Sequence, residues 1–273
     1  RGFLARLASF LVTVPPIVTT WICLLVVSII ALTVSGFSIR RLIPKKRVLL
    51  VGVYGLLGYH FALFAGLQNA PSVQANLVNY LWPIFVVLLA PLFIRGTSLT
   101  YKHWIAGILG FSGAALAILS GAQLVGGFAV GYVYAGIAAI IFSSYSLISK
   151  TLADSPTAAV GGYSFVAGVL AIGAHFVFEP PATIDSVQWL WLVLMGLGPL
   201  GGSFYLWDFA LKHAPAQRVG TIAFFTPLIS TILLLTVTGQ RLTLMLGLSA
   251  ALILLAAVFG SRVNNKNHDI WRV

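Results

Sequence analysis

The chain has 273 residues, 59% hydrophobic and only 8% charged, whereas a soluble domain carries about 25% charged residues. This composition cannot build a water-facing surface, so the bilayer is the expected solvent. The net charge of +11 would suit a nucleic-acid binder. The basic residues instead sit between apolar runs, as the positive-inside rule describes, and nucleic acid is excluded as an expected partner.

A membrane-spanning helix needs about 20 apolar residues. In chain order the hydropathy predicts spans at roughly 15–37, 48–68, 72–94, 103–121, 129–150, 157–178, 187–210, 216–238 and 243–262, with short loops and no intervening soluble domain. The span at 15–37 holds Cys23, the one cysteine, so no disulfide or metal site is implied. The following loop carries Arg40, Arg41, Lys45, Lys46 and Arg47. His60 lies in the middle of the span 48–68. A histidine at that depth either faces a cavity, where it could bind substrate or relay a proton, or is neutral and hydrogen-bonded to a neighbouring helix.

The span 72–94 holds the richest polar patch. Asn76, Asn79, Tyr80 and Pro83 share one helical face by i, i+3, i+4, i+7 spacing, and Trp82 lies off that face. Pro83 cannot donate to the carbonyl of Asn79 and should kink the helix. A carbonyl freed in this way is tolerated where it lines a cavity or finds another partner. Such a kink points either to a central site or to packing alone. Glycines 107, 110 and 113 in the next span, like 52, 55 and 58 earlier, permit close helix approach. Around Tyr145, Ser143, Ser144, Ser146 and Ser149 could supply hydroxyls to a ligand or serve only as helix-packing groups.

The span 187–210 contains Gly196, Gly198, Gly201 and Gly202. With no preceding strand and no lysine this is not a nucleotide loop, and it reads as a tightly packed segment able to rock. Tyr205 and Trp207 follow. Asp208 is the only one of the five acids inside a span. It is either an interfacial residue paired with Lys212 at i+4 or a proton or substrate-ammonium site. Pro227 should kink the span 216–238 at Ala223. No paired intramembrane acids, His/Glu metal cluster or Ser/Lys dyad is visible, which argues against an enzyme; no catalytic residue, metal or cofactor is expected.

Leu67, Ala70, Pro71 and Pro83 are matched 144 residues later by Leu211, Ala214, Pro215 and Pro227. The spans at 48, 72 and 103 thereby pair with those at 187, 216 and 243, and the span at 15 with that at 157. The span at 129 lacks a counterpart unless residues 1–6 are the tail of a truncated first helix. The expected fold is an all-α integral membrane protein of ten transmembrane helices in two inverted five-helix repeats, over 1–121 and 129–262, with a tail at 263–273. Paired spans five apart run in opposite directions, and such repeats place a transport site between the halves. Thirteen of the sixteen Lys and Arg residues fall on one side, which predicts a cytoplasmic C-terminus.

The run from Ala70 to Pro83 and its second copy from Ala214 to Pro227 resemble the two halves of the drug/metabolite transporter superfamily, EamA type. The hexapeptide from Val78 to Pro83 is similar to the YddG branch, the aromatic amino-acid exporters of the bacterial inner membrane, and Phe142 to Ser146 resembles that branch's sixth helix. The resemblance implies ten helices, alternating access, and a small-molecule substrate that is an aromatic or another neutral amino acid. Binding would fall to Asn79, Tyr80 and Trp82, then His60, Tyr145, Tyr205, Trp207 and Asn76, with Pro83 and Pro227 as hinges and His60 or Asp208 as a proton or ion site. A transporter of a different metabolite or drug remains the alternative. The sequence does not reveal the oligomeric state.

Overall fold

A computed structural model describes residues 14–36, 38–119, 127–229, 232 and 243–261. The stub at 1–6, the end of the span 216–238, Arg241 and the tail at 263–273 lie outside the described residues. Every regular element described is a helix: α1 (Pro16–Val34), α2 (Ile39–Leu42), α3 (Lys46–Gln68), α4 (Ser72–Asn79), α5 (Trp82–Phe93), α6 (Tyr101–Leu119), α7 (Val130–Thr151), α8 (Ala159–Phe178), α9 (Ser186–Leu197), α10 (Gly202–His213), α11 (Ala216–Ala223) and α12 (Leu244–Ser261). A further helical stretch covers 225–229. Among the described residues six helical segments are long and apolar enough to cross a bilayer: Pro16–Thr33, Lys46–Gln68, Gln74–Phe93, Val130–Thr151, Ala159–Phe178 and Ser186–His213. In hydrocarbon the backbone must satisfy its own hydrogen bonds, so helices are the expected solution for such apolar runs.

Two expected spans are each broken. The segment 72–94 is interrupted between α4 and α5, and 187–210 between α9 and α10. Proline causes the first break. Gly198, whose φ of −106° and ψ of −110° leave the helical region, marks the second. The long helix α3 also carries one π-helical turn, Tyr54–Gly58.

The chain divides into two compact units, each discontinuous in sequence. The first holds the described residues of Arg1–Phe64 and Leu152–Lys212, the second those of Ala65–Thr151 and His213–Val273. In the first unit α1 packs against α8 and α9, and α8 packs also against α3. Close approach is made through glycine. A Cβ at Gly161 would overlap Ala31, and one at Gly52 would overlap the ring of Tyr163. In the second unit α6 packs on α12, α5 on α7 and α11, and α4 on α7. Gly110 receives the face of Phe224, and Gly113 lies under Ile253. There Ser249 Oγ donates to the carbonyl of Gly113 at 2.7 Å, a hydrogen bond between helices of the kind that holds membrane helices together.

Candidate functional site

In the second unit, α4 ends at Asn79 because Pro83 has no N–H to offer that residue's carbonyl. Tyr80 turns off the helix at φ −66° and ψ 5°, its N–H donating to Asn76 O at 2.9 Å. The chain resumes as α5 with Pro83 in the first turn, where a missing N–H costs nothing. The polar patch therefore sits at a discontinuity rather than along one regular helix. Asn79 is 3% exposed, while Asn76, Tyr80 and Trp82 are half-buried. α11 of the second half of the chain reaches the same break: a Cβ on Gly220 would lie 3.1 Å from the carbonyl of Pro83. α11 itself ends at Ala223, and Phe224, three residues before Pro227, is its C-cap at φ −63° and ψ −16°.

The Trp82 ring meets Phe142 of α7 edge-on, centroids 4.8 Å apart, and Phe142 lies 6.1 Å from Tyr145. The structure thus links Trp82 to Tyr145 through Phe142. Tyr145 itself is 1% exposed and packs inside the unit. Ser143 and Ser146 donate their hydroxyls to carbonyls of their own helix, Ile140 O and Phe142 O.

In the first unit, His60 lies two residues after the π-turn of α3. Inserted π-turns re-aim the residues beside them and recur at functional sites. The ring is 1% exposed, lies 6.1 Å from Phe204 and 6.0 Å from Phe64, and places Nδ1 2.6 Å from the carbonyl of Leu56. A carbonyl only accepts, so this geometry assigns a proton to Nδ1.

Tyr205 donates its hydroxyl to Val27 O at 2.9 Å, across the notch that Gly161 leaves. It lines an apolar cavity of about 700 Å³ with Ile30, Thr157, Gly198, Leu206 and Phe209, opening beside the break between α9 and α10. Trp207, on the same helix, is half-buried. Asp208 and Lys212 form an ion pair of 2.6 Å, both nearly buried, and Lys212 also donates to Ser155 O at 2.8 Å. In the second unit Lys150 anchors the loop before α11 by donating to Ala214 O at 2.7 Å. Among the described residues no group of His, Cys, Asp and Glu side chains is placed to hold a metal.

Glu179 has a structural role that sequence reasoning missed. Its carboxylate accepts from the N–H groups of Ile17 at 2.7 Å and Val18 at 3.2 Å, and His175 Nδ1 donates to it at 3.0 Å. The first turn of α1 follows Pro15, which has no side-chain acceptor. A proline pair opening an apolar helix, in a chain with so few acids, was the available signal.

The sequence profile of the EamA-like transporter family matches residues 2–119 and 129–262. The chain is 35% identical over 239 residues to the aromatic amino acid exporter YddG of Ancylobacter novellus, covering 85% of this chain and 82% of that one. It is 25% identical to the aromatic amino acid exporter YddG of Escherichia coli (72% and 71% covered), and 26% identical to an uncharacterized transporter of Archaeoglobus fulgidus (85% and 82% covered). A crystal structure 31% identical in sequence matches with a TM-score of 0.86, covering 94% of this chain and 91% of that chain.

Proposed function

This chain belongs to the EamA-like transporter family, and from that premise we propose that it exports aromatic amino acids, and other neutral ones, across the bacterial inner membrane. It is a multi-pass membrane transporter and not an enzyme. The observation that carries the substrate reading is the 35% identity to an exporter named for aromatic amino acids. The polar break at Asn76–Trp82 supports it. Amides and a phenol beside an interrupted membrane helix suit the zwitterionic end of an amino acid, and Trp82 suits an aromatic side chain. The apolar cavity beside Tyr205 offers a second surface of the right character.

Binding is assigned first to Asn79, Tyr80 and Trp82, then to His60, Tyr205, Trp207, Tyr145 and Asn76. The breaks near Pro83 and Pro227 act as hinges for alternating access, and His60 and Asp208 are the residues through which a proton could couple. The excess of Lys and Arg at alternate span ends supports a cytoplasmic C-terminus. The test is counterflow of labelled phenylalanine and tryptophan into proteoliposomes, comparing the full chain with the double variant Asn79→Ala, Tyr80→Ala. Uptake that the variant loses supports both substrate and site. No uptake of any aromatic amino acid by well-folded protein overturns the substrate reading.

A further inference from the structure

The described part of the second unit contains no Asp or Glu, yet it carries Arg95, Lys102, Lys150 and Arg218. All four lie at one membrane edge. Arg95 follows α5, Lys102 opens α6, and Lys150 closes α7, one edge if the hydropathy spans 103–121 and 129–150 cross and return. Two hydrogen bonds bring Arg218, in the first turn of α11, to the same edge. Lys150 Nζ donates to Ala214 O just before α11, and Gln217 Nε2 donates to Ser98 O, in the loop joining α5 to α6, at 3.3 Å. Lys150 is held by the Ala214 carbonyl, whereas Arg218 is exposed.

Beside Arg218 runs a groove of about 300 Å³ between α11 and α12, lined by Thr221, Ile222, Leu254, Ala257 and Val258. Its apolar walls are open. Ile222 is 56% exposed and Leu254 55%, a large apolar exposure that is ordinary only against hydrocarbon. Thr221, the one polar lining residue besides Arg218, donates its hydroxyl to Gln217 O at 2.9 Å. The groove thus presents a guanidinium at the membrane edge and hydrocarbon-compatible walls running inward, with no carboxylate among its described lining residues.

We propose that this groove is a binding site for an anionic phospholipid, one acyl chain lying along Ile222, Leu254 and Val258 and the phosphodiester engaging Arg218. The planar guanidinium can donate two parallel N–H bonds to phosphate oxygens, and the basic edge adds attraction that a zwitterionic headgroup does not feel to the same degree. A free amino acid is a poorer match, because its ammonium would find no anionic partner among the described lining residues.

The test is native mass spectrometry of delipidated full-length protein titrated with phosphatidylglycerol or with phosphatidylcholine. The expected result is a preference for phosphatidylglycerol of roughly fivefold, the worth of about one basic residue at an anionic headgroup. Arg218→Gln should abolish that preference, Arg218→Lys should retain part of it, and Arg95→Gln should leave most of it. Leu254→Trp, which fills the groove, should weaken retention of both lipids. The lysine and tryptophan variants keep the test decisive should the glutamine variant fail to fold. No lipid preference in the unsubstituted protein overturns the proposal. Equal losses in the Arg95 and Arg218 variants overturn it in favour of a diffuse field, and unchanged retention in Leu254→Trp overturns the acyl-chain assignment. Glycerol phosphate binding as tightly as the lipid overturns it in favour of a free-phosphate site, and a dimer that forms only without lipid overturns it in favour of a second copy.

Discussion

Replacing Glu179 should loosen α1, the helix that both α8 and α9 grip in the first unit. The carboxylate terminates two backbone N–H groups, at 2.7 and 3.2 Å, and stands at the positive end of the α1 dipole. Its side chain is only 8% exposed, so water replaces it poorly. A hydrogen bond to a charged group contributes about 1.5–3 kcal/mol, and a buried donor left bare costs a comparable amount. The dipole adds about 0.3–1 kcal/mol. Because the two bonds share one carboxylate and are not additive, Glu179→Ala should cost roughly 2–4 kcal/mol in all. Glu179→Gln keeps one acceptor and should cost roughly half of that. For a chain of this size the alanine variant should unfold roughly 5–15 °C lower.

Cys23 provides the assay. It is the only cysteine, lies on α1 and is 1% exposed. Its rate of alkylation with temperature therefore reports the opening of that helix. Faster labelling in the order unsubstituted, Gln, Ala is expected. Identical labelling curves for all three would refute the idea that Glu179 holds α1 in place.

Three further perturbations follow from the packing. Gly110→Ala drives a methyl into the ring of Phe224 and should cost about 1–3 kcal/mol, whereas Gly173→Ala, on α8 with nothing within 4 Å, should be neutral or stabilise by about 0.5–1 kcal/mol; melting of the two purified variants distinguishes them. Lys212→Met strands a nearly buried Asp208 and should cost about 3–5 kcal/mol, while the double variant with Asp208→Asn should recover most of the loss, as read by the temperature at which monodisperse protein is lost. Gly220→Leu should push α11 away from the Pro83 break, where even an added Cβ would lie 3.1 Å from the proline carbonyl, and should impair counterflow more than it impairs thermal stability.

Composition and periodicity determined the outer frame of this protein. An 8% charged chain must find its solvent in lipid, and unbroken runs of about 20 apolar residues then read as helices, since the other structure that satisfies the backbone there, a closed barrel, uses alternating strands of about 10 residues. The span ends followed from the same logic, and the described ends of α1, α7 and α8 lie within three residues of their expected limits. The break at Tyr80 was foreshadowed by Pro83, because a proline's missing donor is a local property. Local pattern could not say which helices pack together. The compact units each join a piece from before residue 65, or from 65 to 151, with a piece from much later in the chain, and hydropathy is the same for a helix facing any apolar neighbour. For that reason the contact of Gly220 with Pro83, the packing of Phe142 between Trp82 and Tyr145, and the reach of Glu179 to the start of α1 appear only in three dimensions. Asp208 illustrates the division most sharply. Its spacing to Lys212 favoured an i, i+4 ion pair without excluding a functional carboxylate, and it was the tertiary arrangement, by burying both side chains and giving Lys212 the Ser155 carbonyl, that placed the two in contact at 2.6 Å.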